Sequence, residues 1–180
     1  MKCSKQCLYA CNKAMKVLGM IKRTIRFKDT RVMLSLYKTL VRPHVEYCVS
    51  AWSPHYKKDR ELIEKIQRRF TKMIYNMDGK SYEERLQCLK LWTLEERRNR
   101  QDLIEVFKMC NGMSRLKLNE FFTLADNNIG TRGHSRKLVK FRCTRDCCKY
   151  FFSNRVINRW NQLDQRAVEA TAASMLLKVR

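Results

Sequence analysis

The sequence predicts a mainly α fold. It divides into a helical, bundle-like region over residues 1–122 and a small irregular and α-helical C-terminal module over 123–180. Three observations carry this. Only 5 Gly and 2 Pro occur in 180 residues, too little punctuation for the turns of an all-β chain. Apolar residues recur at spacings of three and four, the period of one helix face. Two Ser/Thr-x-x-Glu sequences mark helix starts. With 44% hydrophobic residues the chain can bury a modest core and is not disordered by composition.

The elements follow in order. Cys7, Cys11, Ala14, Leu18, Ile21 and Ile25 make one apolar stripe, which predicts a helix over about 4–25. Lys2, Lys5, Lys13, Lys16 and Arg23 fall on a different face. A second helix begins near Thr30 and carries Met33, Leu36-Tyr37 and Leu40-Val41. Pro43 should stop or kink it, because proline lacks a backbone donor and crowds the preceding turn. Val45 to Trp52 is apolar enough to continue the helix as far as Pro54. Leu62, Ile63, Ile66, Phe70, Met73 and Ile74 predict a third helix over 58–76, ended by Gly79. Ser81-Tyr82-Glu83-Glu84 and Thr93-Leu94-Glu95-Glu96 read as capping boxes. The second opens a helix to about Asn111, with Gly112 as its left-handed C-terminal residue. Asn127 to Gly130 is a loop signal, 137–152 reads as short strands or irregular chain, and helices are expected at 153–163 and 171–179. The segment 123–136 is the expected boundary. Trp52, Trp92, Trp160 and Phe70 are read as core.

The formal charge is +22, with a sequence pI near 10, and a chain that tolerates such self-repulsion is suited to polyanions. Residues 1–60 and 121–180 carry 19 of the 22 excess charges, so the ends rather than the middle are expected to grip one. Basic and aromatic residues alternate in Gln67-Arg68-Arg69-Phe70, Lys140-Phe141-Arg142 and Lys149-Tyr150-Phe151-Phe152. Such residues can neutralise phosphates and stack on unpaired bases; over 140–152 they can equally be core.

Nine cysteines are present, an odd number at a density below that of a disulfide scaffold. Cys3, Cys7 and Cys11 share a helix face, and Cys143, Cys147 and Cys148 form a second group. Neither contains the Cys-x-x-Cys pair of a zinc site, so no metal ligand is assigned. No stretch of eighteen apolar residues occurs, and residues 1–11 lack the apolar run of a signal peptide. A nuclear or cytoplasmic, non-secreted protein with reduced thiols is expected. No phosphate-binding Gly-rich loop, nucleophile elbow, His-Glu-x-x-His site or adjacent Asp pair appears, so no catalytic residue is assigned. His44 and His55 follow prolines, where a hydrogen-bonding role is expected.

Tyr37-Lys38-Thr39-Leu40-Val41-Arg42-Pro43-His44-Val45-Glu46-Tyr47-Cys48, followed by Ala51-Trp52-Ser53-Pro54, resembles a block of non-LTR retrotransposon reverse transcriptases of the jockey and chicken-repeat type. The resemblance continues in order through Gln67 to Met73, Ser81 to Leu86, Asp102 to Lys108, Thr131 to His134, Phe151 to Arg155 and Trp160-Asn161, and covers essentially the whole chain. It implies the thumb and the region behind it, which hold template–primer duplex and element RNA. The family's Phe/Tyr-Ala-Asp-Asp motif, in a palm region upstream, is absent from this sequence. Magnesium would belong to that palm, so no cofactor and no activity are expected of this chain alone.

The implied partners are RNA, RNA–DNA or DNA duplex and the rest of the retrotransposon polyprotein, with no membrane. The implied nucleic-acid contacts are Lys13, Lys16 and Arg23 on the first helix, then Arg68 and Arg69. In the tail they are Arg132, His134, Arg136, Lys137, Lys140 and Arg142. Two features depart from the family pattern: Leu163 is followed by Asp164 rather than Pro, and the 143–148 cysteines are extra. Together with a start inside a helix and an early end at Arg180, they fit a truncated genomic copy. An intact polymerase with its catalytic part upstream, a host RNA-binding or protein-interaction module, and a remnant without function stay open as alternatives.

Overall fold

The computed structural model describes residues 3–125 and 133–169. It is mainly helical; among the described residues the only β feature is an isolated antiparallel bridge between Leu124 and Leu138. The chain divides into two compact units, Met1–Arg98 and Asn99–Arg180. This division precedes the expected one at 122/123, because residues 103–122 share a core with 138–168. The expected helix over 171–179 lies outside the described residues.

In the first unit α1 (Cys3–Thr24) packs on α4 (Lys57–Lys72) and on α3 (Arg42–Glu46). Its buried side is the predicted stripe of Cys7, Cys11, Ala14, Leu18 and Ile21, joined by Ala10. Helix α2 (Thr30–Leu36) starts at Asp29, whose carboxylate accepts from the N–H groups of Arg31 and Val32 at 2.9 and 3.2 Å. It does not stop at Pro43. A π-helical turn, Tyr37–Val41, lets the Arg42 N–H reach back to the Tyr37 carbonyl, and Pro43 then falls in the first turn of α3. A first-turn proline forfeits no helical hydrogen bond.

The helical path ends at Glu46 and does not run on to Trp52 as expected: Tyr47 is extended and Cys48 is left-handed, with φ 53°. The turn is held from inside the unit. The Trp52 indole donates to the Tyr47 carbonyl at 2.8 Å, and the buried Arg98 guanidinium lies 4.2 Å over the Trp52 ring while donating to the carbonyls of Val45 and Trp52.

Helix α4 ends at Lys72, short of the predicted residue 76. Phe70 stacks on Tyr37 with ring centroids 4.2 Å apart, and both are fully buried. Gln67, equally buried, accepts from the Tyr37 hydroxyl at 2.8 Å and donates to the Trp92 carbonyl at 2.9 Å. That satisfies an amide whose burial is otherwise costly. Both capping boxes form. Ser81 opens α5 (Tyr82–Leu89), accepting from Glu84 N–H at 3.3 Å while Glu84 accepts from Ser81 N–H at 2.7 Å. Thr93 and Glu96 make the same exchange at 3.1 and 3.2 Å and open α6 (Leu94–Cys110). Gly112, at φ 66°, supplies the left-handed turn after α6.

In the second unit the core joins Leu103, Val106 and Phe107 to Phe122, Phe152 and Trp160. The short helices are α7 (Leu118–Phe121), α8 (Asp146–Lys149), α9 (Phe152–Arg155), α10 (Ile157–Asn161) and α11 (Gln165–Val168). Asp102 clamps Arg155 through two bonds of 2.8 and 3.0 Å. Asn161 both donates to and accepts from the Leu138 backbone, at 2.8 and 2.9 Å.

Candidate nucleic-acid interface

Helix α4 places Lys65, Arg68, Arg69 and Lys72 at i, i+3, i+4 and i+7, a spacing that makes one stripe, and all four are exposed. The opposite side is held by Ile63, Ile66, Gln67 and Phe70 in the core, so the stripe cannot rotate inward. Among the described residues these four cations form no ion pair. Two of them, Arg69 and Lys72, sit in the last turn, where the carbonyl end of the helix favours positive charge. Two more cations face the stripe from the following segment. Lys80 precedes the Ser81 cap, and Arg85 lies one turn into α5.

Arg85 is 3% exposed and, among the described residues, forms no ion pair; its guanidinium donates to the Thr71 hydroxyl at 3.0 Å and to the Lys80 carbonyl at 2.7 Å. Tyr82 stands between, with the Arg68 guanidinium 4.9 Å over its ring. These residues, with Ser81 and Asp78, line a groove of about 420 Å³. A second cavity of about 1110 Å³ shares Arg69, Lys72 and Asp78 with it and adds Lys22, Arg26 and Lys28 from the end of α1 and the turn behind it. Among the described residues, nine cations and one carboxylate therefore line two adjoining openings.

The groove has a defined border. On the far side of Tyr82 and Arg68 lies a recess of about 350 Å³ with four carboxylates, Glu61, Glu64, Glu83 and Glu95, against Lys57, Arg60 and Arg68. Glu64 belongs to the interior: it accepts from the Tyr82 hydroxyl and from Leu94 N–H at 2.9 Å. Burial pushes its carboxyl above the usual range despite those two bonds, and burial pushes the Tyr82 phenol up as well. An anion approaching Tyr82 thus meets cations on one side and carboxylates on the other.

The expected contact residues separate into three groups. Lys13, Lys16 and Arg23 are exposed on α1, with the Lys13 ammonium 4.5 Å over the Tyr9 ring, and Arg68 and Arg69 line the groove. Lys140 and Arg142 are exposed, Lys140 donating to the Asn158 side chain at 3.0 Å. Arg136 and Lys137 are half-buried; Arg136 donates to the Cys110 carbonyl and the Asn111 side chain at the end of α6. Arg132 lies outside the described residues.

Among the described residues, His134 differs from the other expected contacts in being buried. It is 3% exposed, and its Nδ1 accepts from Arg136 N–H at 3.2 Å, which leaves the proton on Nε2 to donate to the Trp160 carbonyl at 2.9 Å. Both ring nitrogens are thus committed to backbone, and the imidazole braces the second unit.

Lys22, Arg26, Lys28, Lys65, Lys72, Lys80 and Arg85 were not among the expected contacts. Their signal was available for the stripe alone, in the i, i+3, i+4, i+7 spacing from Lys65 to Lys72. The count along the chain, which puts 19 of the 22 excess charges in residues 1–60 and 121–180, does not say which side chains are solvated. The carboxylates that balance the middle in a linear count serve as caps and partners, as Glu84, Glu96 and Glu95 do, the last pairing with Arg60. Among the described residues no group of three His, Cys, Asp or Glu side chains is placed to hold a metal ion, and no helix is long and apolar enough to cross a membrane. No protein-family model, curated protein or solved structure matches the chain.

Proposed function

We propose that this chain is the nucleic-acid-holding part of a mobile-element RNA-directed DNA polymerase, without a catalytic site of its own. The observation that carries the reading is the pair of adjoining openings lined, among the described residues, by nine cations and a single carboxylate. Phosphates laid along the Lys65–Lys72 stripe displace condensed counterions from the nucleic acid, which is the main driving force of such binding. The exposed cations of α1, and Lys140 and Arg142, extend the positive surface of each unit. Phosphate contacts position a strand without reading its sequence, so the expected role is to hold template–primer or element RNA for another chain segment to copy. The resemblance to the thumb and post-thumb region of non-LTR reverse transcriptases supports the same reading.

The test is a filter-binding titration with RNA, RNA–DNA hybrid and DNA duplex probes over a range of salt. About six to ten phosphate contacts correspond to a loss of roughly 10³–10⁵ in affinity between 50 and 200 mM salt. Slight sequence preference and no primer extension are the accompanying expectations. An affinity that stays flat with salt overturns the reading.

A further inference from the structure

We propose that the larger cavity receives unpaired bases of a single strand, with the neighbouring phosphates of the same strand held in the smaller groove. This rests on the nucleic-acid reading above and names the form of nucleic acid the site takes. The floor of the cavity is apolar: Leu18 and Ile74, nearly fully buried, with Met15 and Met73 beside them. A duplex, whose bases are stacked away inside, has nothing to lay on such a floor.

The lip is aromatic. Phe27 is 78% exposed and Tyr75 is 70% exposed, and both line the cavity. They come from separate segments that the Tyr75 N–H ties together through a 3.3 Å bond to the Lys28 carbonyl. Solvated rings at a cavity mouth supply flat faces on which any base can stack. The surrounding charge selects a polyanion. Arg69 and Lys72 form part of both openings, so a strand can place bases in one and their adjacent phosphates in the other without leaving the cations.

The experiment uses the full chain and three probes of equal length: a single-stranded oligonucleotide with a central 2-aminopurine, the same strand in a blunt duplex, and the same strand with abasic sites. Phe27→Ala and Tyr75→Ala, singly and together, alter solvated rings and leave the core intact, which an unchanged melting temperature checks. Binding of the single strand is expected to quench the 2-aminopurine. The double variant is expected to lose the quench and about tenfold or more in single-strand affinity, the scale of losing one stacked base. Its duplex affinity should change less than twofold, and the abasic strand should bind wild type as weakly as the intact strand binds the double variant. Phe27→Trp should retain affinity and quench.

Equal losses for duplex and single strand, or full affinity for the abasic strand, overturn the base pocket while leaving salt-dependent binding in place. Displacement of the single strand by polyglutamate at matched charge concentration also overturns it, since the cavity then reads charge alone. Absence of salt-dependent binding to every probe refutes the underlying nucleic-acid reading instead.

Discussion

Neutralising the α4 stripe is the perturbation with the most calculable consequence. Lys65, Arg68, Arg69 and Lys72 are exposed and share one groove, so replacing all four with Gln removes positive charge without opening the core. If each meets one phosphate, the slope of log affinity against log salt should fall by about 2.8 for a single strand, at about 0.7 per phosphate. For duplex DNA, at about 0.9 per phosphate, the fall is about 3.6. Over a fourfold rise in salt from 50 to 200 mM, that makes the variant roughly 50- to 150-fold less salt-sensitive than the wild type. The assay is a fluorescence-anisotropy titration at four or more salt concentrations. A charge-matched control replaces Arg115, Lys117, Arg159 and Arg166, exposed cations of the second unit, with Gln. The control should change the slope by less than about one phosphate equivalent. Equal slope changes in the two variants would refute the reasoning, because binding would then follow net charge and not this groove.

Three further expectations concern the scaffold. Asp102→Ala should destabilise the second unit by about 3 kcal/mol, since it removes the carboxylate that clamps the largely buried Arg155 guanidinium. In urea denaturation the Asp102→Ala/Arg155→Met pair should cost less than the sum of its singles, and strict additivity would count against the clamp. Burial pushes the Cys11 thiol up to about 11, and a shared hydrogen bond with Cys3, then burial, raises Cys7. Native alkylation at pH 8 followed by mass spectrometry should therefore label the exposed Cys48, Cys88 and Cys147 before either. Burial raises the Glu64 carboxyl, so the stability it contributes is full below its ordinary value of 4.5 and is lost as pH rises through the higher folded value. The stability of wild type relative to Glu64→Gln should accordingly fall between pH 4 and neutrality, and a rise would contradict the assignment.

The features legible in the sequence were those governed by neighbours within a turn or two. The stripe of α1, both capping boxes and the left-handed Gly112 depend on spacings of three to five residues, and a linear reading contains all of them. Pro43 was legible as a disturbance, but its resolution was not: whether a helix stops or widens into a π turn depends on what Tyr37 and Val41 pack against. The end of that helix at Glu46 was equally hidden, because the left-handed Cys48 belongs to a turn closed by Trp52 and the distant Arg98.

The +22 charge and the basic–aromatic clusters pointed to a polyanion and contained Arg68 and Arg69, two residues of the groove. They could not identify Lys80 and Arg85 as groove residues or His134 as a buried brace, since a count along the chain does not distinguish a solvated charge from one committed to a cap, a pair or a backbone carbonyl. Local hydrogen bonding and side-chain periodicity are written in sequence order. Which cations converge is set by α4, the 78–85 segment and the turn after α1 folding together, and that belongs to the tertiary structure.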